Sequence, residues 1–235
     1  MALLNDLISD VSSVLSSNWN IRDGHVVPFS EDVRLAGGAV RLEATMLYAD
    51  LADSTELAMR FDRRVAAKVF KAFLTCSSRI IRARGGEIRS FDGDRVMGIF
   101  LGPTKNTSAA KSALNINYVF TKIIKPKLEA KYPQLETDYD LAHCVGIDTG
   151  EVLAVRGGVI NNNDLVWVGR APNVAAKLSG LRESPYHSFI TAAVYRKLQE
   201  NLKISPQGDY MWEQRTWNAV DGVNRVYRSS WWWKP

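Results

Sequence analysis

Two aspartates stand out among the residues able to do chemistry. Asp50 sits in Tyr48-Ala-Asp-Leu-Ala-Asp-Ser-Thr55, at the end of an apolar run and just before a helical pattern. Asp94 follows in Ser90-Phe-Asp-Gly-Asp-Arg95, the shape of a tight hairpin turn. Carboxylates at the ends of neighbouring strands are hard oxygen donors, which suit Mg²⁺ or Mn²⁺ and leave positions for substrate phosphates. Two such ions can activate an attacking hydroxyl and neutralise a leaving phosphate. The amides at 51–55 face the same point and favour an anion there. The pattern therefore reads as a nucleotide-binding metal site with Asp50 and Asp94 as ligands, whereas Asp53 reads as a helix cap. Asn173 and Lys177, four apart and so on one helix face, supply an amide and an ammonium. Such a pair can hold a ribose oxygen and a charged phosphorus centre, although on a solvated surface it is also unremarkable.

The elements that must position these groups follow from periodicity. Leu3, Leu4, Leu7, Ile8, Val11, Val14 and Leu15 predict an amphipathic helix over residues 3–17, which should dock on the domain or on a second subunit. Residues 18–38 form an extended connection ending at Gly37-Gly38, so the chain divides into 1–38 and a catalytic domain at 39–235. A strand at 40–49 precedes one long helix to about Arg84, with Asp53 or Ser54 as its cap and Glu56 at capping-box spacing. Asp92-Gly93 turns a hairpin of two strands, and a second helix at roughly 104–124 should stop at Pro126. Residues 141–150 form a strand with 151–156 returning as its partner, and Asn161–Asp164 turn into a strand at 165–168. Pro172 suits the first turn of the next helix. Strands near 188–191, 209–217 and 223–230 and a helix at 192–200 complete the chain. This β-α-β-β-α-β order predicts an α+β fold, with helices packed on a mostly antiparallel sheet.

Composition narrows the class. The 235 residues are 46% apolar and 23% charged, ordinary for a globular domain, and the net charge of +5 is scattered rather than gathered into a nucleic-acid-binding block. Cys76 and Cys144 lack CxxC spacing and should stay reduced, and His25, His143 and His187 are too dispersed for zinc. The first basic residue is Arg22 and no apolar run reaches spanning length, so a cytoplasmic protein without membrane contact is expected. The terminal Trp231-Trp-Trp233 would be an exposed apolar patch and is expected to dock.

Four segments together resemble a known family. Tyr48–Thr55, Phe91–Asp94, Val145-Gly-Ile-Asp-Thr-Gly150 and Gly169-Arg-Ala-Pro-Asn-Val-Ala-Ala-Lys177 are similar in order and spacing to the motifs of class III nucleotide cyclases, over residues 40 to 230. That resemblance implies a head-to-tail homodimer with composite sites, forming 3′,5′-cyclic nucleotides from nucleoside triphosphates and releasing pyrophosphate. It implies that Asp50 and Asp94 hold two divalent cations (Mn²⁺ or Mg²⁺) with help from the carbonyl of Leu51. Asn173 would orient the ribose and Lys177 would stabilise the transition state, both from the opposite subunit. Arg225 falls near a phosphate-binding lysine.

The departures from the family pattern concern the base. Purine cyclases carry a lysine where this chain has Ser90, and an Asp or a small polar residue where it has Val166. Lys177 replaces an arginine, keeping the charge without the planar fork. Losing both purine readers while keeping both metal ligands points to another base. The pattern is similar to the bacterial pyrimidine cyclases of Pycsar antiphage defence. That similarity implies UTP as substrate, a second-messenger role and a separate effector that reads the product. Tyr48, on the same strand face as Asp50, and Arg95 are the candidate base or phosphate contacts. The alternatives are a cytidylate cyclase, a purine cyclase with unusual readers, and an inactive nucleotide-binding module.

Overall fold

The computed structural model describes residues 2–235. Helix α1 (Ala2–Ser16), strand β1 (Asn20–Asp23) and the long β2 (Gly38–Leu51) open the chain. Helices α2 (Ser54–Arg60) and α3 (Arg63–Ala83) precede the hairpin of β3 (Glu87–Asp92) and β4 (Arg95–Phe100). Helix α4 (Lys105–Val119) runs through a π-helical turn at Phe120–Ile124 into α5 (Lys125–Lys131), and α6 is one turn at Gln134–Thr137. Then come β5 (His143–Val159), β6 (Asn162–Val168), α7 (Arg170–Ser179), β7 (Ser188–Thr191), α8 (Ala192–Arg196), β8 (Glu213–Val220) and β9 (Val223–Ser229). The expected α+β class is observed. The strands order as β3-β4-β2-β5-β7-β9-β8, with β1 beside β2 and β6 beside β5. Among the described ladders only β1–β2 and β5–β7 are parallel, and the rest are antiparallel.

The chain gathers into two compact units. The larger comprises Ala44–Gly150 and Ala171–Pro235 and contains the main core. There α3 buries Val65, Val69, Phe73 and Ile80, a helical stripe, among Leu47, Ala49 and Phe100 of the sheet. Each such side chain contributes about 1.5–3 kcal/mol. A second cluster packs Val174 and Leu178 of α7 against Phe189 and Val226. The smaller unit takes in the chain up to Glu43 together with Glu151–Arg170. In it, β5 and β6 pair from Leu153↔Val168 to Val159↔Asn162. Helix α1 has no buried residue, so it does not dock within this chain. Among the described residues no helix is long and apolar enough to cross a membrane.

Four local expectations change. The single helix expected up to Arg84 breaks at Phe61-Asp62, because Asp62 caps α3 by accepting from the Arg64 amide at 2.8 Å. Asp53 takes a left-handed φ of 51° and makes no side-chain cap, and Glu56 instead pairs with Arg60 at 2.6 Å. Pro126 does not stop its helix. It falls in the first turn of α5, where its missing amide costs little, and the π-helical turn absorbs the change of register. Residues 143–159 are one continuous strand rather than a strand and its returning partner, and the reversal comes at Asn161, with φ 68°. The tryptophan tail does dock: Trp233 N–H donates to Leu114 O at 3.0 Å, and Asn115 and Asn117 donate to tail carbonyls.

Candidate active site

Three strands lay two rows of side chains across one face of the larger unit. In the first row, Tyr48 on β2 and Ser90 on β3 both stand opposite Met97 on β4. Tyr48 Oη donates to Met97 Sδ at 3.1 Å, and Ser90 Oγ at 3.5 Å. Counting back from the turn sets that alignment, because Asp92↔Arg95, Phe91↔Val96 and Ser90↔Met97 are in regular register and the β-bulge falls beyond Ser90, before Ile88. In the second row Arg95 pairs with Asp92, and its Nε lies 3.7 Å from Asp50 Oδ2. The Arg95 guanidinium also lies 5.9 Å from the Tyr48 ring centre. The hairpin turns at Gly93, whose φ of 61° is open to glycine at little cost, and this presents Asp94 beside Asp50.

The two carboxylates are poised for a cation. Burial, and then the neighbouring Asp94, push Asp50 up to about 6, against the opposing pull of Arg95 and Arg182. Their oxygens are close enough to share a proton, and Asp94 Oδ2 is buried with no hydrogen-bond partner. Such an oxygen costs free energy unless something positive meets it. The donor set is all oxygen, and among the described residues no cluster of three or more His, Cys, Asp or Glu forms. That combination fits Mg²⁺ or Mn²⁺, which retain open positions, better than Zn²⁺. Burial also raises the phenol of Tyr48, with Arg95 partly opposing it.

The loop after Asp50 is more committed than its sequence suggests. The Leu51 carbonyl accepts from Arg182 Nη2 at 3.0 Å, while Arg182 Nη1 donates to Ser179 O and Leu181 O. The Ala52 amide, one of the group expected to face an anion, donates to Ala142 O at 2.9 Å. Arg182 thus ties the end of α7 to this loop. Nothing local in the sequence marked it, because the contact joins residues 131 apart. Met97 was also missed, although counting the hairpin register places it opposite Ser90.

The remaining candidates stand elsewhere. Asn173 and Lys177 share the exposed face of α7, opposite the buried Val174 and Leu178. Arg225 is exposed on β9, three strands from β2 and so roughly 14 Å away along the sheet. Val166 lies on β6 opposite Val155 in the smaller unit and is 49% exposed. Within one chain, then, the structure unites Tyr48, Asp50, Ser90, Asp94 and Arg95, and it leaves Asn173 and Lys177 on an outer surface.

No family model matches the chain. The fold is like that of the adenylyl cyclase CyaB from P. aeruginosa, with a TM-score of 0.69 over 81% of this chain and 95% of that one, at 20% identity. The sequence is 47% identical to the uridylate cyclase of Rhodovulum sp. (strain MB263), across 100% of this chain and 99% of that protein. The chain belongs to the class III nucleotide cyclase family. A second relative, the uridylate cyclase of Xanthomonas perforans, is 40% identical across 100% of this chain and 99% of that protein. The cyclase fold expected from the four segments is therefore present, and the chain is a nucleotide cyclase, an enzyme.

Proposed function

We propose that this cyclase converts UTP to 3′,5′-cyclic UMP and pyrophosphate. The ribose 3′-oxygen bonds to the α-phosphorus, the bond from that phosphorus to the bridging oxygen of pyrophosphate breaks, and the hydroxyl proton passes to solvent. The observation that carries this reading is the Asp50–Asp94 pair, with Asp94 Oδ2 buried and unsatisfied beside the Tyr48 row. Asp50 and Asp94 would hold two divalent cations, Mn²⁺ or Mg²⁺, with the second lone pair of the Leu51 carbonyl, beside its hydrogen bond from Arg182, as a further donor. Bound there, the cations would acidify the 3′-hydroxyl and neutralise the departing pyrophosphate. Tyr48, Ser90 and Arg95 would meet the base or the phosphates, with Val166 at a purine reader's position. From a second subunit, Asn173 would orient the ribose, Lys177 would stabilise charge at phosphorus, and Arg225 would bind phosphate. The relatives named uridylate cyclase support the choice of base. A homodimer, a cytoplasmic location, a role in antiphage defence and a separate effector for the product belong to the same proposal.

The test is to incubate the purified protein with each of the four ribonucleoside triphosphates and Mn²⁺ and to identify the products by mass spectrometry. Cyclic UMP should dominate. Cyclic CMP as the main product would move the assignment to a cytidylate cyclase. Cyclic AMP or cyclic GMP would sink the pyrimidine reading, and no cyclic product would leave a nucleotide-binding module.

A further inference from the structure

Two surfaces of this chain are apolar, exposed and opposite in charge. Helix α1 buries no residue, and Leu3, Leu4, Leu7, Ile8, Val11, Val14 and Leu15 are 51% to 81% exposed. At 100° per residue these side chains share one face about 140° wide. Asp6 and Asp10, one turn apart, run along a border of that face, and the helix carries no basic residue. The second surface is an open groove of about 630 Å³ between α3 and the edge strand β3. Phe70 and Leu74 of α3 and Phe91 of β3 give it apolar walls, with Phe91 57% exposed. Lys71, Arg79 and Arg82 line it from α3. Among the described residues none of these charged side chains forms an ion pair. Contiguous apolar surface rimmed by charge is the mark of an interaction site.

We propose that α1 of a second copy of this chain seats in the α3–β3 groove, with Asp6 and Asp10 against Arg79 and Arg82. The dimensions agree. The 15 residues of α1 rise about 22 Å, and the groove follows α3 from position 67 to position 82, also about 22 Å. The charges agree as well, since Arg79 and Arg82 are one turn apart on α3, as the two aspartates are on α1. Width favours the groove over a seam of two α1 helices. Such a seam takes Leu4, Leu7, Val11 and Val14 at heptad spacing and leaves Leu3, Ile8 and Leu15 in water. A groove with a helix on one side and a strand on the other meets the whole face. Because α1 covers nothing in its own chain, a two-fold pair fills two grooves at once by exchanging an identical element. Phe91 stands between Ser90 and Asp92, so the seated helix also braces the hairpin that presents Asp94. The inference names a surface for the homodimer proposed above and rests on that part of the reading alone.

Association of the full chain, read by sedimentation without substrate, tests the contact. All the substituted side chains are exposed, so the variants should fold. Leu7→Asp with Val11→Asp should raise the dimer Kd at least about 100-fold, because two apolar anchors per helix are lost. Asp6→Lys with Asp10→Lys should raise it about tenfold, and so should Arg79→Glu with Arg82→Glu. Mixing those two charge-reversed chains is the decisive arm. In a mixed dimer each α1 meets a groove of opposite sign, whereas in either homodimer both contacts are repulsive. Mixed dimers, captured through different tags, should therefore exceed the statistical share of about one half and have a Kd near that of wild type. A mixture that stays at one half overturns the proposal and leaves α1 on its own chain. A groove reversal that does not change Kd overturns it too, and points to a seam between α1 helices. A wild-type chain that is monomeric at every concentration sinks the homodimer itself. A wild-type dimer indifferent to both reversals sinks this contact alone.

Discussion

At the scale of single residues, the decisive feature is a carboxylate pair whose mutual repulsion the fold tolerates. Asp50 is held up at about 6 by burial and by Asp94, so the pair carries an electrostatic cost that a bound cation would relieve. Mn²⁺ at 100 times its Kd should stabilise the wild-type protein by about 2.7 kcal/mol, read from thermal unfolding. Asp94→Asn should abolish that gain, leave the metal-free Tm unchanged or higher, and cut cyclase activity by at least about 100-fold, more than losing an outer hydrogen-bond partner of a metal ligand costs. A variant that still responds to Mn²⁺ would remove Asp94 from the site. His143 sets a different sensitivity. Its ring is fully buried, stacked on His187 at 5.0 Å and 4.3 Å from Phe120, with neither nitrogen hydrogen-bonded. Burial first, then the charges of His187 and Arg182, hold it well below the usual histidine value. Its folded pKa lies below its unfolded one, so the native state requires the neutral ring. That contribution to stability is complete above about pH 6.5 and is lost as pH falls below it, by up to about 1.4 kcal/mol per pH unit. Urea unfolding at pH 7.5 and 5.5 should show the loss, and His143→Phe should flatten the slope.

At the scale of elements, close approach decides more than propensity does. A Cβ on Gly146 of β5 would meet Ala175 O at 2.2 Å and Ser179 N at 2.4 Å. Both are backbone atoms of α7, so they cannot swing aside. Gly146→Ala should therefore push α7 off the sheet, costing about 1–3 kcal/mol as overpacking does. Because α7 carries Asn173 and Lys177, activity should fall further than stability explains, and kcat should drop more than KM rises. Normal kcat with a lowered Tm would separate that helix from the chemistry. The hairpin, the helix over α3 and the strand before Asp50 were legible in the sequence because each rests on local chemistry, a turn glycine, a 3.6-residue stripe and an apolar run, although the turn falls on Gly93-Asp94, one residue later than the Asp92-Gly93 expected. What was not legible came from contacts between segments. The unbroken length of β5, which pairs with β7 as well as β6, and the ties from Arg182 to Leu51 and from Asn117 to Trp231 each depend on partners far off in the chain. The bulge between Ser90 and Ile88 has the same origin, since it exists only in the register with β4.

For the whole molecule, the unanswered matter of position is how Asn173 and Lys177 reach a substrate held at Asp50. Both side chains point outward from α7, whose inner face is occupied by Val174 and Leu178. Arg225 is likewise exposed, roughly 14 Å along the sheet from β2. Helix α1, with Leu4, Leu7, Val11 and Val14 all exposed, adds apolar surface that a second copy could cover. On the proposed reading one chain offers half of a site at its carboxylates and the complementary half on a different surface, which a two-fold dimer would bring together twice. Complementation follows from that geometry. Asp50→Ala removes the metal half and Asn173→Ala the ribose half, so each homodimer has two damaged sites and should be inactive. In a mixed dimer both lesions fall in one site and the other is intact. With free exchange about half of the dimers are mixed, each with one working site, so an equal mixture should recover about a quarter of wild-type activity per subunit. Exchange can be verified with differently tagged chains captured in tandem. Recovery near that level fixes the site as shared between subunits, whereas verified mixed dimers without activity would mean that each chain completes its own site.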